Sequence, residues 1–128
     1  LFEADQGSHE NARKFFSEGV KVGRRNRYLF LSWALWEKEF GQGVATARKL
    51  FRRGTKTNPK DAPLWQAWAM LEAEQNDNEK ARGLFANAVR ADPTHQPAYT
   101  AWGVFESRQG NTAKARELWQ RGVFADPK

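Results

Sequence analysis

LWQAWAMLEAEQNDNEKARGLFANAVRADP, residues 64–93, is the fullest copy of a unit that recurs along this 128-residue chain. An Ala-Arg pair marks every copy, and its arginines follow one another at steps of 35, 34 and 34 residues: Arg13, Arg48, Arg82 and Arg116. The extra residue of the longer step falls in the glycine-containing loop 40–43. A fixed period of this length predicts stacked helix pairs, in which each repeat packs mainly on its neighbours.

The period divides the chain into a partial first copy, residues 1–25, and three full copies, residues 26–60, 61–94 and 95–128. We predict an all-α fold, a right-handed α-solenoid of antiparallel helix pairs, and expect it to be a fragment of a longer array. No stretch shows the period-two alternation of a strand.

The partial first copy is predicted to contribute one helix, from Ser8 to about Lys21. Ser8 is placed to accept a hydrogen bond from the first free backbone N–H groups of that helix. Ala12, Phe15 and Phe16 follow at helical spacing, which predicts that they share one face.

Composition and charge exclude several classes of protein. The chain has no cysteine, so disulfides and thiol catalysis are excluded. No run of about eighteen apolar residues occurs, so no membrane span is expected. Residues 1–60 hold thirteen Lys and Arg against six Asp and Glu, a balance of +7, whereas residues 61–128 hold eight against nine, a balance of −1. The basic half is a candidate surface for a polyanion, with simple solubility as the alternative interpretation.

The aromatic, Ala-Arg and proline positions resemble the tetratricopeptide repeat and, more closely, its relative the half-a-TPR (HAT) repeat. The HAT marks stand at Trp65, Trp68, Leu71 and Glu72, and at Arg82 directly after the second-helix alanine. This resemblance covers the whole chain and implies a role in RNA processing complexes. The phrases LWQAWAMLE, NAVRADP and ARELWQRGVFADP look like the chloroplast HAT proteins that bind and protect the 5′ ends of transcripts and stabilise photosystem II transcripts.

Residues that recur in every copy are interpreted as structural. Recurring aromatics such as Trp68 and Phe85 are predicted to pack in the core, with platforms for stacking RNA bases as the alternative. Glu72 and Arg82, ten residues apart across the turn, are predicted to form an ion pair within their repeat, with a ladder of RNA-binding arginines as the alternative. The same interpretation covers the equivalent residues of the other copies: Glu3 with Arg13, Glu37 with Arg48, and Glu106 with Arg116.

Ligand contacts are expected at positions that vary between copies. In the arrays that this chain resembles, the first helix of each repeat lines the concave surface, which implies base-reading candidates there: Tyr28, Lys38, Gln66, Thr100 and Arg108. Phosphate contacts are expected from the basic first half of the chain: Lys21, Arg24, Arg25, Arg27, Arg52, Arg53, Lys56 and Lys60. The alternative at each position is ordinary solvated helix surface.

Neither histidine has the close His, Cys or carboxylate spacing of a metal motif, so no enzyme, cofactor or small-molecule substrate is expected. By resemblance, the predicted function is a non-catalytic module that binds single-stranded RNA in the 5′ region of an organellar transcript. It would protect the transcript from exonucleases and aid processing or translation in the chloroplast stroma. The alternative is a protein–protein scaffold of an RNA processing complex, acting by dimerisation or peptide binding, and the alternative compartment is the nucleus.

Overall fold

The computed structural model describes the backbone of residues 2–23 and 27–125, and the side chains of residues 7–23 and 28–124. Within these ranges every regular element is an α-helix: α1 (Phe2–Val22), α2 (Arg27–Phe40), α3 (Val44–Thr57), α4 (Ala62–Glu74), α5 (Asn78–Ala91), α6 (Gln96–Arg108) and α7 (Thr112–Ala125). This confirms the predicted all-α helical-repeat fold. None of the helices in these ranges is long and apolar enough to cross a membrane.

The helices form two compact units, residues 1–58 and residues 59–128. In the first unit α2 packs against both α1 and α3. In the second unit α4 pairs with α5 and α6 with α7, and α6 also contacts α4 and α5. The paired helices are joined by short turns and so run antiparallel, as helices linked in this way do in bundles.

The turns inside the second unit are set by short polar residues. Asp61 and Asp77 each accept a hydrogen bond from the backbone N–H three residues later, at 3.4 and 3.3 Å, and so begin α4 and α5. Asn76 and Gly110 occupy equivalent positions after α4 and α6, with φ of 64° and 84°. Glycine adopts this left-handed conformation at little cost and asparagine tolerates it, which explains where the first helix of each repeat ends.

The first helix differs from the prediction. Ser8 lies inside α1, which is continuous from Phe2 to Val22, and so it is not an N-cap. Glycine at position 7 costs a helix only about 1 kcal/mol relative to alanine, too little to impose a turn on its own. Phe15 does not share the buried face either, because its side chain is 66% exposed and it is Phe16 that stacks on Trp33.

Most of the recurring aromatics form the core, as predicted, but Trp119, the equivalent of Phe85 in the last repeat, is 39% exposed. Phe85 is 1% exposed and its ring stacks on that of Trp102 at 6.2 Å between centroids. Close approach is made possible by small residues: a Cβ placed on Gly122 would lie 3.0 Å from the Cβ of Tyr99. The Tyr99 hydroxyl also donates to the carbonyl of Pro93 at 3.1 Å, which ties the inter-repeat loop to α6.

Candidate functional site

A buried carboxylate lies where α5 meets α6. Glu106, 2% exposed, accepts two hydrogen bonds from Arg82, from Nε at 2.8 Å and from a terminal guanidinium nitrogen at 3.2 Å. Trp102 Nε1 donates to the same carboxylate at 3.0 Å, and Asn111 Nδ2 at 2.8 Å. The Arg82 guanidinium also lies 5.4 Å from the ring centroid of Phe105. Both carboxylate oxygens are therefore satisfied by donors from three parts of the chain.

The same arrangement recurs in the first unit. Glu37, 1% exposed, accepts from Arg13 at 2.9 and 3.3 Å and from Trp33 Nε1 at 3.0 Å. The backbone N–H of Gln42 donates to it at 2.9 Å. A side chain on Gly41 would overlap this carboxylate, so the glycine of the longer loop is required by packing against Glu37.

The arginine partners differ from the predicted ones. Arg82 pairs with Glu106 of the following repeat, 24 residues on, and not with Glu72 of its own repeat. The reason lies in the helix geometry, because one residue turns the helix by about 100°. Ala81 is fully buried, and the next side chain, Arg82, points to α6. Glu72 instead accepts from Trp68 Nε1 at 3.1 Å and lies 3.7 Å from Lys80 Nζ.

Of the other residues assigned to pairs within a repeat, Glu37 and Glu106 also pair with the arginine of the preceding repeat, Arg13 and Arg82. Arg48 is half-buried on α3, and Arg116 is exposed on α7. The side chain of Glu3 lies outside the described residues.

Both networked carboxylates have shifted pKa values. Burial alone would raise the pKa of Glu106, but the hydrogen bonds from Arg82, Asn111 and Trp102 outweigh it and hold the pKa below its ordinary 4.5. Burial likewise acts to raise the pKa of Glu37, and its donors again lower it below 4.5. These are ionised, fully bonded groups of the repeat framework, with no bonding position left for a ligand.

Three predicted phosphate-binding residues come together in the first unit. Lys21, Arg53 and Lys56 line a depression of about 400 Å³, which we call the cationic depression. Its other lining residues are Val20, Phe30 and Thr57, so none of the described residues that line it is acidic. The Arg53 guanidinium lies 5.6 Å from the ring centroid of Phe30, which holds the charge over an aromatic face at the edge of the depression.

The remaining predicted phosphate residues are dispersed. Arg52 is exposed on α3 and precedes Arg53, which lines the cationic depression. Lys60 belongs to the other unit, where it lines a separate shallow depression of about 330 Å³ with Trp65 and Arg90. Arg24 and Arg25 lie outside the described residues, as does the side chain of Arg27.

The predicted base-reading residues are divided between the units. In the first unit Tyr28 is exposed, and Lys38 lies 3.4 Å from Glu39. In the second unit Gln66 and Thr100 line one depression, but both are engaged. Gln66 Oε1 lies 3.0 Å from a ring nitrogen of His95, and the Thr100 hydroxyl donates to the carbonyl of Gln96 at 3.3 Å. The fifth candidate, Arg108, lines a different groove.

That groove lies between α4 and α6 and contains residues that the sequence analysis missed. It measures about 390 Å³, and we call it the α4–α6 groove; its lining is Met70, Ala73, Glu74, Phe85, Ala101, Val104, Phe105, Arg108 and Gln109. Met70 and Val104 are 48% and 38% exposed, and Leu35, the equivalent residue of α2, is 42% exposed. The signal was present in the sequence, because these three large apolar residues follow one another at steps of 35 and 34.

Comparison with known families assigns the chain to one family. The family model described as suppressor of forked protein (Suf) matches residues 5–126. The chain belongs to the suppressor of forked family. This is a family of HAT repeats associated with RNA processing and typically a non-catalytic scaffold. A comparison with curated proteins found no match.

The side chains of this Suf-family chain have two kinds of position. Within each unit of this Suf-family chain, a Trp, a Glu and an Arg connect one HAT repeat with the next: Arg13 with Trp33 and Glu37, and Arg82 with Trp102 and Glu106. The exposed cations of its cationic depression and the exposed Met70, Val104 and Arg108 of its α4–α6 groove take no part in these carboxylate networks. Ligand binding by this Suf-family chain is therefore best sought at those two surfaces.

Proposed function

We propose that this Suf-family chain is a non-catalytic module that binds single-stranded RNA through the cationic depression. The observation that carries the proposal is that Lys21, Arg53 and Lys56 line one depression whose described lining contains no acidic residue. Phosphate binding by lysine and arginine releases condensed counterions, and this term supplies most of the sequence-independent affinity for nucleic acid. The +7 balance of residues 1–60 supports the same ligand.

The side chains offer two kinds of contact to RNA. Arg53 presents a planar guanidinium that suits a phosphate in two-point contact, whereas lysines act as point charges. Exposed Tyr28, in the same unit, supplies a ring on which an unpaired base can stack. Sequence preference is proposed to come from Lys38, Gln66 and Thr100.

The biological role is proposed from the resemblance of the phrases at residues 64–72, 87–93 and 115–127 to the chloroplast HAT proteins. In this proposal the chain occupies the 5′ region of an organellar transcript, shields it from exonucleases and aids its processing or translation. The proposed compartment is the chloroplast stroma, with the nucleus as the alternative. Occupancy alone suffices for protection, so residence time on the RNA sets its extent.

The test compares two charge-reversal variants. R53E/K56E removes two cations of the depression, and R116E/R121E makes the same change in net charge on α7 as a matched control. Arg53 and Arg121 both lie over an aromatic ring, at 5.6 and 5.2 Å, and Lys56 and Arg116 are both exposed, so the two variants lose similar contacts within the fold.

We expect R53E/K56E to weaken binding of a single-stranded RNA, measured by fluorescence anisotropy, about tenfold or more at low salt, and the control less than about threefold. Equal losses in the two variants would contradict the proposed site. No binding of any single-stranded RNA by the unmodified chain would contradict the proposed function.

The second candidate is a protein–protein scaffold of an RNA processing complex. It is favoured by the exposed apolar side chains at Leu35, Met70 and Val104, because exposed apolar patches mark sites of protein contact. Concentration-dependent dimerisation in sedimentation experiments, without any RNA binding, would support this candidate over the first.

A further inference from the structure

The α4–α6 groove has the composition of a protein-binding surface. Its walls carry the aliphatic side chains of Met70, Ala101 and Val104, and its floor is formed by Phe85 and Phe105, which are 1% and 6% exposed. A position that is apolar and yet exposed in three successive repeats is not explained by core packing. Contact of aliphatic side chains with water is unfavourable, and their burial against a partner lowers the free energy of the complex.

The groove is a poor fit for RNA. Unpaired bases stack on exposed aromatic faces, and the two phenylalanines of this groove are covered. Arg108 is the one cation in its lining, and the carboxylate of Glu74 lies in the same lining. A polyanion would meet repulsion from Glu74, whereas a partner with a single acidic residue can place it beside Arg108.

Arg108 also decides the charge of the partner. Among the described residues its exposed guanidinium has no ion-pair or hydrogen-bond partner. It stands at the C-terminal end of α6, and Glu74 stands at the equivalent end of α4. An acidic group that follows an apolar side chain would therefore find a free cation at that end of the groove.

We infer that the α4–α6 groove binds an amphipathic helix of a partner protein, with aliphatic side chains seated between Met70 and Val104 and one acidic residue paired with Arg108. Helices that dock in grooves present apolar side chains at i, i+3, i+4 and i+7, which suits a channel between two parallel helices. This site is separate from the cationic depression and does not depend on RNA binding.

The chain offers a built-in reporter, because Met70 is its one methionine. A chain labelled with 13C at the methionine methyl group gives a single resonance from the wall of the groove. The probe is a helical peptide with leucines at the four docking positions, one glutamate beside them, and alanine and glutamine elsewhere. A second peptide carries lysine in place of the glutamate.

We expect the glutamate peptide to shift the Met70 methyl resonance in a saturable manner. V104E should weaken this peptide about tenfold or more, whereas V123E, a matched change at an exposed valine outside the groove, should leave its affinity unchanged. R108E should weaken the glutamate peptide by about threefold to fivefold and strengthen the lysine peptide, because an exposed ion pair contributes that much.

Four results would overturn the inference. The first is binding that leaves the Met70 resonance unchanged, and the second is an equal response of V104E and V123E. The third is equal affinity of the unmodified chain for both peptides, and the fourth is a Met70 shift produced by single-stranded RNA or by dimerisation of the chain alone. If V104E does not fold, the charge reversal at exposed Arg108 still tests the pairing.

Discussion

Single buried carboxylates hold neighbouring repeats together in this chain. Glu37 and Glu106 each collect a guanidinium from the preceding repeat, an indole N–H from their own helix and a donor from the turn that follows. A buried acid with every lone pair satisfied is stabilising only while all its donors remain. These residues should therefore be the most sensitive polar positions of the fold.

Removing one of these carboxylates should destabilise the chain strongly. We expect Glu106→Ala to lower the free energy of unfolding by about 2 kcal/mol, because it leaves the buried Trp102 indole N–H without an acceptor and removes the shared partner of the more exposed Arg82 and Asn111. Glu117→Ala is the control: Glu117 is exposed and lies 3.8 Å from Lys114, so we expect a change within about 0.5 kcal/mol. Urea unfolding followed by far-ultraviolet circular dichroism measures both, and similar losses would contradict the assignment.

The lowered pKa values make stability depend on acid. Because the pKa of Glu106 is below 4.5 in the folded chain, the unfolded chain binds more protons as the pH falls below 4.5. The stabilisation from Glu106 is therefore fully present above pH 4.5 and is lost as the pH falls through the folded pKa. The same sign applies to Glu37.

Glu106→Gln isolates this contribution. The difference in unfolding free energy between the unmodified chain and Glu106→Gln should be constant near neutral pH and should shrink as the pH is lowered below about 4.5. Urea titrations at several pH values measure it. A difference that stays constant down to pH 3 would show that the ionised form of Glu106 is not favoured by folding.

The sequence revealed that these acids and arginines belong to the framework, but not which of them pair. A pair formed within a repeat and a pair formed between repeats recur with the same period, so periodicity cannot separate Arg82 with Glu72 from Arg82 with Glu106. The deciding quantity is the direction in which Arg82 leaves α5, which depends on how α5 packs against α6.

At the scale of helices, a glycine inside α1 and a glycine after α6 test two different backbone conformations. Gly7 lies inside α1 with open space around it, whereas Gly110 follows α6 with a φ of 84°. The two positions are equivalent in the repeat, since they are 103 residues apart, three periods of about 34. They respond oppositely to a side chain if α1 is continuous.

We expect Gly7→Ala to raise the free energy of unfolding by about 0.5–1 kcal/mol, because alanine restricts the unfolded chain and suits a helix. Gly110→Ala should lower it by about 1–2 kcal/mol, because a side chain is strained at positive φ. Thermal unfolding compares the two variants. A destabilising Gly7→Ala would indicate a turn at Gly7, as in the other repeats.

The sequence predicts a helix end where a proline or a capping residue offers no other interpretation. This is so at Asn58-Pro59, which ends α3, and at Asp61, which begins α4. The start of α1 was not, because Ser8 is an equally good N-cap and helix-surface residue and only packing decides between them. Leu35, Met70 and Val104 were missed for a different reason. The sequence analysis interpreted the recurring aromatics and sought ligand contacts at polar positions, and periodicity does not show that a recurring aliphatic position is exposed.

At the scale of the whole molecule, the two candidate surfaces belong to different units. The cationic depression belongs to residues 1–58 and the α4–α6 groove to residues 59–128. We propose that the two surfaces bind different classes of ligand, RNA at the first and a partner helix at the second. Binding of one ligand class can be removed by substitution without touching the other surface.

The charged unit should give RNA binding a defined salt dependence. Three phosphate contacts, from Lys21, Arg53 and Lys56, predict a slope of about −2 in a plot of log affinity against log salt concentration for single strands, at about 0.7 per contact. R53E/K56E should reduce the slope to about −0.7. Anisotropy titrations over a range of salt concentrations measure both, and affinity that is insensitive to salt would rule out these phosphate contacts.

The ion pairs of Arg13 with Glu37 and of Arg82 with Glu106 have the same order in the sequence: the arginine lies in the earlier repeat and the glutamate in the later one. Truncation from the N-terminus and truncation from the C-terminus should therefore differ in their effect on stability. An N-terminal truncation that removes the arginine leaves a buried glutamate without its cation. A C-terminal truncation that removes the glutamate leaves an arginine exposed to solvent, as Arg116 is. Shortened forms for binding studies should accordingly be trimmed from the carboxyl side.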